Sequence, residues 1–383
     1  MILKRSVCMP PAGPVRLRSR LEGDDAMAVL VEDAPSSVSL GHGLELPSIL
    51  RQSTPSMVLT RTPLRISFAG GGTDLPDFYN IETGAVLSAS VDKYVFVTVK
   101  RHSELFNEPI RLNYSQTEQA NTIDELKNNI ARECLRYLDV DPPIYISSVG
   151  DMPASSGMGG SSSFTVGLLN ALHAFRGERI TAGQLAEEAC HIEMDVLGEP
   201  IGKQDQYAAA FGGLNLLSFR RGGAVSVEPQ RVTHRAVVHL FDHLMMFWTG
   251  HQRAASSVLT EQKANTRKKL DVLRQMRDDA YALHERCTDH AIDPIEFGRA
   301  LKKNWEMKRE LASAVSNPFI DDRYERAMAA GAEGGKLCGA GGGGFLMFVV
   351  RPEHRERVAS ALSDMKFVHL GYEAHGSRVL FGL

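Results

Sequence analysis

Cysteine is scarce in this 383-residue chain, and the five present (Cys8, Cys134, Cys190, Cys287, Cys338) lie far apart. No two form a CxxC pair, which argues against a zinc ribbon or a disulfide scaffold and leads us to expect a reducing, cytoplasmic setting. Long hydrophobic runs are also missing: no apolar stretch reaches the roughly 18–20 residues that span a bilayer. Neither sign of charge is in excess. Lys+Arg 43 against Asp+Glu 46 leaves a formal net charge of −3, so nothing attracts nucleic acid or anionic lipid in general, and neither is an expected partner. Aromatic residues are few, and Trp248 and Trp305 stand alone. The histidines form no HExxH, no GxSxG elbow occurs, and Cys190-His191 has no further ligand at a metal spacing. A Walker A loop is absent.

Glycine, by contrast, is plentiful at 34 residues, and much of it is clustered. Residues 1–56 carry six prolines and Ser-rich patches without a sustained apolar period, and read as an unstructured extension. Met57 directly precedes the first patterned strand and is an alternative start. Val58–Phe68 reads as a strand interrupted at Pro63, and Ala85–Lys100 as one or two strands. A helix is expected over Thr122–Leu138, a strand over Ile144–Val149, and a helix on the apolar spacing Phe164, Leu168, Leu172, Phe175. A further helix runs from Thr181 to Leu197, with Leu185, Ala189, Ile192 and Val196 as its apolar stripe and Glu193 at the margin. Mixed strands follow over Leu214–Val232, then a buried strand over His239–Trp248. A long charged helix over Ser256–His290 and helices near Pro294–Val315 and Asp321–Ala332 come next. Strands Phe345–Val350 and Phe367–Ala374 flank a helix near Glu353–Met365. The organisation expected is an extension (1–56), a strand-led domain (57–235) and a helix-led domain (236–383).

Three glycine clusters carry the chemistry. Pro153 to Ser163 (PASSGMGGSSS) links a strand to a helix, so the helix presents free N–H groups and the positive end of its dipole. Glycines let backbone approach an anion and serines add donors or a metal ligand; this is a phosphate cradle built without lysine, or else a Ser-capped loop. The run Gly339-Ala-Gly-Gly-Gly-Gly344 satisfies GxGxxG, but a helix precedes it and a strand follows. That reversed order excludes a dinucleotide fold. Successive glycines cost roughly 0.5–1 kcal/mol each relative to alanine in regular structure, so we expect a tight loop that a ligand or another backbone must approach. Arg65-Ile-Ser-Phe-Ala-Gly-Gly-Gly-Thr-Asp74 places a cation and a carboxylate around a sharp turn. Finally, Lys203 and Asp205 fall in a turn-rich stretch after the Thr181–Leu197 helix. A carboxylate at Glu193 calls for a partner, a cation or a metal.

Taken together and in this order, TPLRISFAGGGTD (62–74), the Pro153–Ser163 loop, GKQDQYAAAFGG (202–213) and GAGGGGF (339–345) resemble the GHMP superfamily of small-molecule kinases. The likeness runs from about residue 58 to the C terminus. With Thr249-Gly250-His-Gln-Arg253 and Val315-Ser316-Asn317, the wording is similar to the D-glycero-D-manno-heptose 7-phosphate kinases within it; fucokinase domains share several of these strings. The resemblance implies an α+β, two-domain GHMP kinase fold. Its N-terminal domain would be like ribosomal protein S5 domain 2, its C-terminal domain a ferredoxin-like α/β sandwich, and its active site the cleft between them.

It also implies cofactors and roles. ATP would sit on Pro153, Ser156, Gly157, Met158, Gly159, Gly160, Ser161, Ser162 and Ser163, supported by Gly341, Gly342 and Gly343. Mg²⁺ would be held by Ser161 (or Ser162) and Glu193. Asp205 would take or orient the proton of the attacking hydroxyl, while Arg65 would stabilise the transferring phosphoryl and keep the aspartate ionised. The sugar phosphate would meet Gly72, Thr73, Asp74 and Gln206, with Lys203 and Arg253 as candidates for its far phosphate. The implied reaction phosphorylates the anomeric hydroxyl of heptose 7-phosphate towards nucleotide-activated heptose. A kinase for an unphosphorylated sugar and a non-catalytic sugar sensor are the alternatives, and a homodimer is the candidate assembly.

Overall fold

The computed structural model describes residues 55–252, 255–287 and 291–382, with side chains 255–257 left aside. All but the last two residues of the expected 1–56 extension fall outside the described residues. Along the chain run β1 (Met57–Ala69), α1 (Pro76–Tyr79), β2 (Gly84–Arg101), β3 (Ile110–Asn113), β4 (Thr117–Ala120), α2 (Asn129–Tyr137), β5 (Ile144–Gly150), α3 (Gly160–Phe175), α4 (Ala182–Cys190) and α5 (Gln204–Phe211). They are followed by β6 (Leu214–Phe219), β7 (Val225–Pro229), α6 (His234–Asp242), β8 (Leu244–Trp248), α7 (Ala255–Asn265), α8 (Leu270–Arg286), α9 (Pro294–Arg309) and α10 (Pro318–Ala329). The last elements are β9 (Ala332–Leu337), β10 (Phe345–Val350), α11 (Arg355–Ala361), β11 (Lys366–Val368) and β12 (Arg378–Gly382). The class is α+β, as expected.

Two sheets organise these elements. The larger has the order β12-β1-β2-β5-β3-β4, and the long β2 forks: its first half pairs with β6, its second with β5. β1 is one continuous strand rather than two pieces; at Pro63, which has no N–H to give a ladder, the register with β2 slips between Pro63 and Leu64. The smaller sheet has the order β11-β8-β10-β9, all antiparallel. β12 was not foreseen: the chain's last described strand returns to pair with β1.

α3 fixes the geometry of the first glycine loop. It is buried along nearly its whole length and fastened to β1 by hydrogen bonds from Thr60 Oγ1 to Gly167 O (2.9 Å) and from Ser163 Oγ to Pro63 O (2.8 Å). The core beneath is continuous: Ile66, Phe68, Leu87 and Val97 of the larger sheet share one apolar cluster with Phe297 and Leu301 of α9 and Met347 of β10. Phe68 and Phe297 meet edge to face at 5.0 Å between ring centres.

Several local expectations change. His234–Asp242 is a helix, with Thr233 capping it through a bond from Ala236 N, so the strand expected from His239 begins only at Leu244. The long charged helix is broken by a 3₁₀ turn at Thr266–Lys269, and residues 288–290 at its end lie outside the described residues. The Thr122–Leu138 helix becomes a 3₁₀ turn (Ile123–Glu125) and α2, restarted by the Asn128 side chain, which accepts from Ala131 N.

The most consequential change follows α4. The helix continues as a π-helical turn over His191–Val196, and that wider winding shifts the phase of every residue after it. Val196, placed on the apolar stripe by 3.6-residue spacing, is 46% exposed, whereas Glu193 is 1% exposed.

Candidate active site

A cavity of about 330 Å³ opens where the ends of β1 and α3 meet α9 and β9. Gly157, with φ +81°, and Gly159, with φ +75°, turn the chain into α3. Arg65 N donates to Met158 O (3.1 Å), tying this loop to β1. The second glycine run packs on the first, backbone to backbone. A Cβ at Gly339 would lie 2.3 Å from Gly157 Cα, and one at Gly344 2.4 Å from Ser156 O. The expectation of a loop that another backbone must approach is therefore met by the Ser156–Gly157 turn.

Arg65 is 6% exposed and reaches two loops at once. Its Nε donates to Asp205 Oδ1 and its Nη2 to Oδ2, both at 2.6 Å, while Nη1 donates to Gly157 O at 2.7 Å. Asp205 is not in a turn, as expected, but in the first turn of α5, where the helix dipole favours its negative charge. Next to this pair, Ser161 Oγ donates to Glu193 Oε1 (2.8 Å) and Gln206 Nε2 to Glu193 Oε2 (2.7 Å). Burial pushes Glu193 up to about 7, against the hydrogen bonds from Ser161, Ser162 and Gln206; the charge of Asp205 adds to the rise. Both serines line this cavity and hydrogen-bond Glu193; Ser161 is exposed whereas Ser162 is buried.

Asp74 lines the same cavity and is held by Gly72 N at Oδ1 (2.9 Å) and Gln204 N at Oδ2 (3.4 Å). Burial first, then the charge of Asp205, raise its pKa. Gly72, Ser156, Gly160, Ser162, Gly341 and Gly343 also line the cavity.

Other expected residues are used elsewhere. Lys203 Nζ bonds the Glu187 carboxylate (2.9 Å) and Gly223 O (2.8 Å), so its donors are spent on the fold. Thr73 is fully buried, its hydroxyl taken up by Gly70 O, Ala85 O and Ala85 N. Gln206 reaches Glu193 rather than the cavity. Met158 is buried in the core, Ser163 is tied to Pro63, and Gly342 N donates to Val315 O. Pro153 is exposed and does not line the cavity. Arg253 lies outside the described residues.

Among the cavity residues given no role by the sequence reading are Asn304 and Lys308 on α9 and Lys336 on β9. The signal was present, because Asn304 and Lys308 are in phase with the core residues Leu301 and Trp305. A lysine on an apolar stripe stands out. Lys308 Nζ donates to Leu337 O (3.2 Å) and to Gly339 O, and Lys336 Nζ to Ser67 O (3.0 Å). Burial, then the neighbouring Lys336, hold Lys308 well below the usual lysine range; burial lowers Lys336 to about 8.

The donor set fits a nucleotide polyphosphate with a divalent cation. It offers a helix N-terminus with glycine approaches, and a hydroxyl and a carboxylate oxygen 2.8 Å apart, a ligand set suited to Mg²⁺ shared with phosphates. Among the described residues no three His, Cys, Asp or Glu side chains group as a metal cage, and no helix is long and apolar enough to cross a membrane.

Comparison with known proteins agrees. Residues 123–213 match the family description GHMP kinases N terminal domain, and residues 280–366 match GHMP kinases C terminal. The chain is 30% identical over 319 residues to a D-glycero-alpha-D-manno-heptose 7-phosphate kinase of Campylobacter jejuni, covering 80% of this chain and 93% of that one. It is 24% identical to a galactokinase of Pyrococcus furiosus, over 80% and 93% of the two chains. A solved D-glycero-D-manno-heptose 1-phosphate kinase from Bacteroides thetaiotaomicron shares the fold at TM-score 0.69 and 24% identity, over 85% of this chain and 99% of that one. With a cradle at the mouth of α3, a carboxylate beside it and relatives that match almost end to end, the chain belongs to the GHMP kinase family, and it is an ATP-dependent sugar kinase.

Proposed function

We propose that the acceptor is D-glycero-D-manno-heptose 7-phosphate and that its anomeric hydroxyl is phosphorylated to give heptose 1,7-bisphosphate. The observation that carries the catalytic reading is the Arg65–Asp205 ion pair, which joins the Gly157 turn to the first turn of α5 inside one cavity. The relative named for heptose 7-phosphate supports the choice of sugar.

In this reading the anomeric hydroxyl lies against Asp205, which orients it and takes its proton as the sugar oxygen bonds to the γ-phosphorus and the bond to the ADP oxygen breaks. Such a transfer needs in-line placement and charge neutralisation more than covalent help. Arg65 holds Asp205 in one orientation through two bonds, and its charge faces the negative charge gathering on the phosphoryl oxygens. The amides of Gly159 to Ser161 receive the polyphosphate at the α3 terminus. Mg²⁺, when bound, neutralises phosphate charge, and Ser161 Oγ with Glu193 would hold it. Asp74 accepts from a sugar hydroxyl.

A panel of heptose 7-phosphate, unphosphorylated heptose, fucose and galactose with ADP release as readout tests the proposal. Turnover should be highest, by kcat/KM, on heptose 7-phosphate. Preference for fucose or galactose would replace the sugar but keep the site, and ATP turnover with none of them would reject the acceptor class.

A further inference from the structure

Asn304 is the least explained residue of the cavity. It is fully buried and lines the open space, yet among the described residues neither its Nδ2 nor its Oδ1 has a partner. An amide in that state costs stability unless something else completes it. One turn along α9, Lys308 spends donors on two carbonyls and keeps one; Lys336 spends one on Ser67 O and keeps two. Among the described residues neither ammonium has a carboxylate partner, and both are buried. Two buried amines without a carboxylate partner among the described residues and an unpaired amide around one cavity suit an anion, whose charge would favour the protonated amines.

Resting on the sugar-phosphate reading above, we propose that Asn304, Lys308 and Lys336 form the subsite for the acceptor's own phosphate, the one that is not transferred. A phosphate could also come from the nucleotide, but the geometry points to the acceptor. The Gly157–Gly160 turn is fastened to β1 at Arg65, through Met158 O. Lys336 is fastened to β1 at Ser67, two residues (about 6.7 Å) further on, towards the Gly70–Asp74 turn. Lys308, bonded to Gly339 beside Gly157, lines the same cavity as Lys336 and Asp74. The unpaired Oδ1 of Asn304 is an acceptor and suits a hydroxyl next to the phosphate, which a phosphorylated polyol supplies and a bare anion does not. This subsite takes over the role expected of Lys203.

The test separates a prepared site from a structural one. Lys336→Met and Asn304→Leu remove polar groups without opening a hole, so the ligand-free thermal midpoint should hold or rise. By calorimetry, affinity for heptose 7-phosphate should fall about 10- to 100-fold in each variant, with affinity for unphosphorylated heptose and for a non-hydrolysable ATP analogue unchanged. Equal losses on both sugars, a loss confined to the ATP analogue, or a lowered midpoint with unchanged binding would each overturn the assignment. Inorganic phosphate serves as a separate probe. If it raises the midpoint of the wild type but not of Lys336→Met, while no heptose phosphate binds, the anion site stands and the heptose reading falls.

Discussion

Arg65 and Asp205, 140 positions apart, face each other with two parallel hydrogen bonds of 2.6 Å, and the third arm of the same guanidinium closes on Gly157 O. One side chain thereby ties the Gly157 turn to the Asp205 carboxylate. Asp205→Asn keeps the shape of the acceptor and removes its charge. We expect kcat to fall by roughly 10²–10⁴ with the KM for ATP little changed; near-native turnover would remove Asp205 from the chemistry.

Lysine cannot reproduce that fork. Arg65→Lys retains a positive charge but loses the paired geometry and the bond to Gly157 O. Steady-state kinetics should show kcat lowered at least tenfold (~1.4 kcal/mol), with the thermal midpoint much less affected than in Arg65→Ala. Full activity in the lysine variant would mean that charge alone suffices.

Glu193 links pH to stability and, in the proposed role, to metal binding. Unfolded, it ionises near its ordinary value of 4.5; folded, at about 7. Between those values the unfolded chain has released a proton that the folded chain keeps, so this group's contribution to stability is full below the lower value and is lost as pH rises to about 7. Glu193→Gln should therefore flatten the ligand-free thermal midpoint across that window. A proton also competes with a cation for the carboxylate, so half-saturating Mg²⁺ should climb as pH drops below about 7, and Ser161→Ala should raise it at every pH. A Mg²⁺ titration indifferent to both would reject these ligands.

The contact between the glycine runs leaves no room for a methyl group. Gly339→Ala would place a carbon 2.3 Å from Gly157 Cα at a residue with φ +72°, and should cost about 2–4 kcal/mol in chemical denaturation. Gly160→Ala, whose added Cβ meets nothing within 4 Å, should leave stability intact. Equal effects would mean that the packing of the two loops carries no weight.

Lys203 gives a contrasting expectation. Since its ammonium is bonded to Glu187 and Gly223 O, Lys203→Ala should cost about 1 kcal/mol of stability and leave the KM for the sugar phosphate unchanged. A selective rise in that KM would return Lys203 to the substrate.

Much of the site was legible because its signals are local. Gly157, Gly159 and the serines after them announce a helix mouth, and the order of a strand before the loop and a helix after it can be read along the chain. Val315 shows the limit: nothing near it in sequence says that its carbonyl receives Gly342 N. Hydrophobic spacing puts Glu193 at the margin of its helix rather than in the interior, since an extra residue in a π-helical turn leaves no mark on that spacing. The strand expected over His239–Trp248 starts five residues late because the helical Leu240 and Phe241 run directly into the apolar strand β8, and short apolar runs do not distinguish helix from strand.

Backbone chemistry therefore belonged to the chain as written: glycines that permit close approach, an Arg and an Asp as a candidate pair, an apolar period that buries α3. Which charges stand together, and which donors are left over, was decided only by folding. Lys203 and Lys336 are the same residue type and both follow glycine, yet one is spent on Glu187 and the other is buried at the cavity with Ser67 O as its hydrogen-bond partner among the described residues. Partnership between side chains depends on distances set by sheets and helices far apart in sequence, and residue order alone does not encode those distances in any local form.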